Sequence, residues 1–389
     1  MKANTNTKKP IQLWIDTDTS GLVWSGLDCD DDLAVLVALA LHKQQIISLD
    51  GLSVCGGNAP LSHTWEDIRA MWKHADGFHI TNIQPIKGYG WRSMQVAVGW
   101  LRWYSWIRQD VVDSTDASSA IVEYSRTSPE PFHILMLGPP TNLAKAIDSG
   151  QLDESAMNVY LMGGELTQQM LDLNFRTDRA SARTVIESNI PTTIIPIQTC
   201  AQAIVTESYL QKIDCPSMAA CALLPKMKQQ ITLMPKFVNP AVKKRCLPDA
   251  EDNIRWKLSP NLDSGFIPWD VVALLAITHR DEFLEWKYHN VTIPSCSDQI
   301  GEPCDSTMIV VDDIGEEFDG KDWRGVVRIP HIVRDEEALL DIMFSLLNEV
   351  PAISLGHPVM FWGFYSEILL TLCISIIVLK LILRCAKIK

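Results

Sequence analysis

Apolar runs of strand length alternate with stretches of helical periodicity along most of the chain. Ile11–Ile15 is short, apolar and β-branched at both ends, as a buried strand of a parallel sheet requires. After a loop containing Gly21 and Gly26, Leu33, Leu36, Val37, Ala40 and Leu41 fall on one face at helical spacing. Further strand-like runs are IISLDGLSVC (46–55), FHILMLG (132–138), VYLMGG (159–164) and TTIIPIQ (192–198). Helical patterns lie near 62–74, 117–125, 141–148 and 178–188. The alternation predicts an α/β fold with a Rossmann-like, mostly parallel sheet and helices on both faces. A second apolar-to-acidic run, MIVVDDIGEEFDG (308–320), precedes a closing helix from Asp335 to Leu347. Residues 207–265, with prolines and the basic Lys226, Lys228, Lys243, Lys244 and Arg245, are the least regular. They are expected to form loops and helices capping the ligand edge of the sheet.

The two ends of the chain break this pattern. Met1–Pro10 is polar and basic and lacks the apolar centre of a signal peptide. Val359–Leu383 is mostly apolar, with Phe361, Trp362, Phe364 and Tyr365 near one end and Lys380, Arg384, Lys387 and Lys389 near the other. Aromatic and basic flanks are the usual interface anchors of a membrane span. Glu367 and Lys380 interrupt the run, so a buried or interfacial helix is the alternative. The expected organisation is a polar tail (1–10), one catalytic domain (11–350), a linker (351–358), a transmembrane helix (359–383) and a basic tail (384–389). That makes a single-pass C-terminal tail anchor with a cytosolic main domain. The sequon Asn290-Val291-Thr292 bears only on the opposite topology.

Composition narrows the partners. Of 389 residues, 47% are hydrophobic and 21% charged, enough for a sizeable core. A formal charge of -13 argues against nucleic acid as the main partner. The 10 cysteines are scattered, with no CxxC pair, and read as reduced core thiols. Four tryptophans, Trp91, Trp100, Trp103 and Trp106, are expected to pack in the core or between helices, with Trp91 a candidate substrate contact.

The candidate chemistry lies at the end of the first strand. Asp16 and Asp18 stand where such a strand delivers residues to a ligand, and Asp28, Asp30, Asp31 and Asp32 open the next helix. Acidic residues in a first turn suit the helix dipole, so a charged N-cap is one reading. So many aspartates at one strand end repel one another unless a cation sits among them, and carboxylate oxygens suit a hard divalent ion.

An ordered series of motifs resembles the inosine–uridine-preferring nucleoside hydrolase family over roughly residues 10–350. The series runs Asp16-Thr17-Asp18, then Asp30-Asp31 with Ala34 and Leu36, then GLSVCGGNAP (51–60) and LGPPTNLA (137–144). It continues through MGG (162–164) and LDLN (171–174) to PWDVVALL (268–275). The resemblance implies the nucleoside hydrolase fold and cleavage of the N-glycosidic bond of purine ribonucleosides to free base and ribose. It implies a calcium ion held by Asp18, Asp31, the Thr141 carbonyl and Asp270, with Asp18 also deprotonating the bound water. Asp30, Asn58, Asp172 and Asn174 would hold the ribose, and Trp269 would lie near the base. The expected partner is a small-molecule nucleoside, with a homo-oligomer also anticipated.

Each residue also has a plainer reading. Thr141-Asn142 could be a cap and turn, the glycines turn residues, and Asp270 a helix N-cap. The chain departs from the family where Asp32 replaces a small residue and Asp172 replaces a glutamate, and the loop before Asp30 is long. The histidine that pyrimidine-tolerant members carry before the late aspartate is Trp269 here, and the histidine-containing loop near 90 is absent. Two alternatives stand beside the hydrolase. LWIDTDT (13–19) also resembles the nucleophile motif of haloacid dehalogenase-type phosphatases, with Asp16 and Asp18 in the reacting roles. A nucleoside-binding membrane protein with impaired catalysis is the other.

Overall fold

The structure, a computed structural model, describes residues 9–21, 29–72, 83–91, 111–112, 116–166, 172–214, 219–246, 258–294 and 308–350. Its nine-stranded sheet contains, in chain order, β1 (Ile11–Thr17), β2 (Ile47–Val54), β3 (Ile86–Lys87), β4 (Phe132–Met136) and β5 (Met157–Met162). It continues with β6 (Thr192–Ile195), β7 (Phe283–Thr292), β8 (Ile309–Gly315) and β9 (Val326–Val333). The principal helices are α1 (Asp30–Lys43), α2 (Leu61–Trp72), α3 (Asp116–Thr127), α4 (Thr141–Asp148), α5 (Leu173–Thr177) and α6 (Arg179–Ile186). They are followed by α7 (Leu224–Phe237), α8 (Trp269–Thr278) and α9 (Glu336–Leu347).

The sheet order is β8-β7-β9-β6-β5-β4-β1-β2-β3, and every adjacent pair from β3 across to β9 is parallel. Only β7 runs the other way, antiparallel to both β8 and β9. The order therefore reverses between β1 and β4. A crevice opens outside the carboxyl ends of the strands at such a switch point.

Period-two alternation along β1 explains why both faces are covered. Leu13 and Ile15 join one buried cluster with α1, α8 and α9, whereas Trp14 joins the cluster on the other face with Ile134, Met136, Leu143 and Val159. In α1 every residue from Asp30 to Leu41 is buried, and α8 is buried from Asp270 to Ile277. These two helices pack against each other and the sheet. Their first turns thus carry aspartates into the interior together.

Sequence periodicity marked the parallel strands well and the antiparallel edge poorly. The helix expected near 178–188 is α6, capped by Asp178 through the Ser181 N–H, and the separate short α5 ends just before it. β7 and β9 gave no clear signal, since FLEWKYHNVT mixes buried, half-buried and exposed positions without strict alternation. Cys29, Cys55 and Cys200 are free and buried. Cys221 is disulfide-bonded, which corrects the expectation of a reduced thiol there, because linear spacing does not reveal which cysteines the fold brings together. The proposed span at 359–383 lies outside the described residues. Among the described residues no helix is long and apolar enough to cross a membrane.

Buried histidines make the fold acid-sensitive. Burial, with neighbouring cations adding to it, pushes both His133 and His331 down to about 4, and lowers His289 as well. His289 and His331 face each other with their Nε2 atoms 2.8 Å apart. The unfolded chain takes up protons near the ordinary histidine value, so their contribution is complete above about pH 6.5 and is lost as pH falls toward about 4. His331→Gln is expected to flatten the acid limb of stability by about 3 kcal/mol. Urea unfolding at pH 7.5 and 4.5 checks this; an unchanged difference between those pH values would refute it.

Candidate functional site

Asp16, Thr17 and Asp18 leave β1 at the switch point, and all three side chains are buried. Strand pairing fixes what meets them. The Leu137 N–H donates to the Asp16 carbonyl at 2.8 Å and the Cys55 N–H to the Thr17 carbonyl at 2.9 Å. The ends of β4 and β2 therefore flank the end of β1.

Asp31 is fastened from three sides. Its Oδ1 accepts from the Thr17 hydroxyl at 2.6 Å and the Asp18 N–H at 3.2 Å, and its Oδ2 accepts from the Asn58 side-chain amide at 2.9 Å. Asn58 also donates its backbone N–H to Asp18 Oδ2 at 2.5 Å. Asn58 thus ties the two carboxylates together from the turn after β2. That turn needs glycine at 57: a Cβ there would lie 1.9 Å from Asp18 Oδ2 and 2.7 Å from Pro139 Cδ.

Asp270 completes the centre from the far end of the chain. Its backbone N–H donates to Asp30 Oδ2 at 3.2 Å. Carboxylate oxygens of Asp30, Asp31 and Asp270 lie within 4.8 Å of one another, and all three residues are buried. Carboxylates this close and this dry repel strongly, and an all-oxygen set suits a hard divalent cation such as calcium. The donor chemistry therefore fits the ion that the motifs implied. Asp30, expected at the ribose, stands within the carboxylate cluster.

The other expected residues surround this centre. Thr141 opens α4 just past the end of β4, its hydroxyl donating to Asp178 at 2.7 Å. Asp172 caps α5, and its two oxygens accept the Gly164, Asn174 and Phe175 N–H groups. Gly164 has φ +78°, a conformation that favours glycine. Asn174 donates its amide to the Leu137 and Met162 carbonyls, linking the ends of β4 and β5. Trp269 is half-buried at the start of α8, and its carbonyl accepts from the Cys200 thiol at 3.6 Å.

Two supporting networks escaped sequence reasoning. In the first, Asp16 Oδ2 accepts from the Asn142 amide at 2.7 Å and from the Ser53 hydroxyl, which itself accepts from Trp14 Nε1 at 2.9 Å. Burial pushes the Asp16 carboxyl above the usual range despite these bonds. In the second, the Thr19 hydroxyl lies 2.7 Å from both Asp32 Oδ1 and Asp67 Oδ2. One hydroxyl proton cannot serve two carboxylates. Burial and the neighbouring Asp67 hold Asp32 well above the usual carboxylate range, which supplies the missing proton. A signal for Asp67 existed: it shares the buried face of α2 with Thr64, Ile68 and Met71. Asp32→Asn keeps the shape and replaces a protonated acid by a neutral amide. Its Tm is expected to equal or exceed that of the wild type, whereas Asp32→Ala should lower it by calorimetry.

The family model described as "Inosine-uridine preferring nucleoside hydrolase" matches residues 13–338. Among solved structures, a plant nucleoside hydrolase, PpNRh1, is similar with a TM-score of 0.62 at 15% identity, covering 87% of this chain and 99% of that one. An inosine-uridine preferring nucleoside hydrolase from Bacillus anthracis gives 0.60 at 15% identity, covering 87% and 100%. A purine-preferring ribonucleoside hydrolase from Gardnerella vaginalis gives 0.59 at 16% identity, covering 87% and 98%. At such identities the likeness is one of fold. No curated protein matches by sequence.

Proposed function

Since the chain belongs to the inosine–uridine preferring nucleoside hydrolase family, a family of N-glycosidases, we propose that it hydrolyses the N-glycosidic bond of purine ribonucleosides. The observation that carries the proposal is the buried cluster of Asp30, Asp31 and Asp270 at the switch point, with Asp18 fastened to Asp31 through Asn58. Bond cleavage passes through an oxocarbenium-like sugar, which needs nearby negative charge and an oriented water.

In this reading Asp31 and Asp270 would hold calcium, together with Asp18 and the Thr141 carbonyl. Bound there, it would supply the positive charge that lowers a water's pKa and offsets the carboxylates. Asp18 accepts the proton of the attacking water, its Oδ2 kept in place by the Asn58 N–H. Asp30, Asn58 and Asn174 bind the ribose hydroxyls, and Asp172 positions Asn174 by capping its helix. Asp16 is an unsuitable phosphatase nucleophile, because Ser53 and Asn142 both donate to its Oδ2.

Purine preference is assigned to Trp269. An indole face attracts a protonated base by about 0.5–2 kcal/mol, which favours departure of a purine without a histidine acid. The deciding assay incubates the full chain and calcium with inosine, guanosine, uridine and phosphate esters. Free base and ribose, with a higher kcat/KM for inosine than for uridine, are expected. Nucleoside binding without turnover, or phosphate release from the esters, would overturn the proposal. Trp269→Ala is expected to lower kcat/KM for inosine more than for uridine, by a further factor of about 2–30. Equal losses with a lowered Tm would make Trp269 a packing residue instead.

A further inference from the structure

A second cluster of functional groups lies toward the opposite ends of the strands. Arg328 is the third residue of β9, beside Thr193 near the start of β6, and His133 is the second residue of β4. Arg280 follows the C-terminus of α8, the helix whose first turn carries Asp270. A helix of that length rises about 15 Å, so it separates this cluster from the carboxylate centre.

The two arginines converge on one indole. The guanidinium carbon of Arg280 lies 4.8 Å from the centre of the Trp286 ring, and that of Arg328 lies 5.0 Å from it. Arg328 also donates to the Tyr160 hydroxyl at 3.1 Å and the Thr193 hydroxyl at 2.9 Å. His133 packs edge-on to Tyr160 with ring centres 5.4 Å apart, and its buried Nδ1 has no hydrogen-bond partner among the described residues.

Charge balance distinguishes these cations from several others in the fold. Arg324 pairs with Asp322, Lys212 with Asp341 and Lys243 with Asp263. Arg280 and Arg328 form no ion pair with a carboxylate of a described residue, in a chain whose formal charge is -13. The field of the two guanidinium groups is felt locally, though Asp281 offsets part of it at Arg280. Burial and the two arginines push His133 down to about 4, and burial and Arg328 lower Arg280. Stacking on an indole orients a guanidinium and leaves its edge N–H groups directed outward for an acceptor.

We propose that Arg280, Arg328 and His133 form a binding site for a phosphate-class oxyanion, distinct from the carboxylate centre. The fork of Arg280 and the Nη1 of Arg328, whose Nε and Nη2 are already given to Thr193 and Tyr160, match the several acceptor oxygens of a tetrahedral anion better than they match a halide. The Tyr160 hydroxyl accepts from Arg328 and keeps its own proton for the ligand. Half-burial of Arg328 strengthens the attraction relative to a fully solvated pair.

The test is isothermal titration of the full chain without added calcium, using inorganic phosphate against sodium chloride of matched ionic strength. Ribose 5-phosphate serves as a second titrant. Saturable phosphate binding is expected, weakened at least tenfold in Arg280→Gln, whose exposed side chain makes no hydrogen bond with a described residue. Arg328→Gln should weaken it further, and bound phosphate should raise the His133 pKa by NMR in the wild type only. Equal affinity for both titrants assigns the site to the free oxyanion, and tighter binding of the ester assigns it to a phosphate monoester. Unchanged phosphate affinity in Arg280→Gln, or a response equalled by chloride, would overturn the proposal and leave the arginines as packing for Trp286.

Discussion

Asp18→Asn is expected to lower kcat for inosine cleavage by about 10²–10⁴-fold, the range a positioned general base contributes. The amide is nearly isosteric and its oxygen can still accept the Asn58 N–H, so the turn after β2 keeps its shape. What is lost is proton affinity. Asp18 is also an expected calcium ligand, and the two roles separate by measurement. A fall in kcat that persists at saturating calcium identifies the base. Recovery at high calcium, with a weakened Kd by calorimetry, identifies a ligand only. Turnover within tenfold of the wild type would remove Asp18 from the chemistry.

Gly57→Ala should be nearly as damaging although it removes no functional group. The new methyl would lie 1.9 Å from Asp18 Oδ2 and 2.7 Å from Pro139 Cδ, so either the carboxylate or the turn must shift. A shift of about 1 Å in a reacting group costs about 10²-fold in rate. Overpacking a buried site costs about 1–3 kcal/mol of stability. The variant should therefore fold with a reduced Tm and lose about 10²-fold in kcat. Full activity would mean that the Asn58–Asp18 contact does not hold the catalytic geometry.

The sequence revealed most of what surrounds this contact. β1 and α1 were legible because an apolar run, an acidic break and a helical stripe each obey a local period. Asp31 and Asp270 were legible through motif resemblance, and the fold brings them together with Asp30. What sequence concealed depends on partners distant along the chain. Ser53 and Asn142 look like ordinary polar residues until strand pairing places both on Asp16. Thr19 gains its role only when α2 brings Asp67 beside Asp32. β7 lies second from the sheet's edge, where half-solvated faces blur the alternation that buried strands display. The opposed His289 and His331 rings stand 42 positions apart in the chain, and nothing local to either announces the contact.

The bond from the Asp270 N–H to Asp30 spans 240 positions of the chain. A chain emerging N-terminus first exposes Asp30 and Asp31 on a nascent α1 long before α8 exists to meet them. Closing so long a loop is entropically costly, so the three-carboxylate cluster belongs to a late stage of assembly. A cation that binds only the completed cluster stabilises the whole native state and none of its precursors. The ion would then act as a latch on topology, and its release would loosen the docking of α8 onto α1 before any strand of the sheet parts.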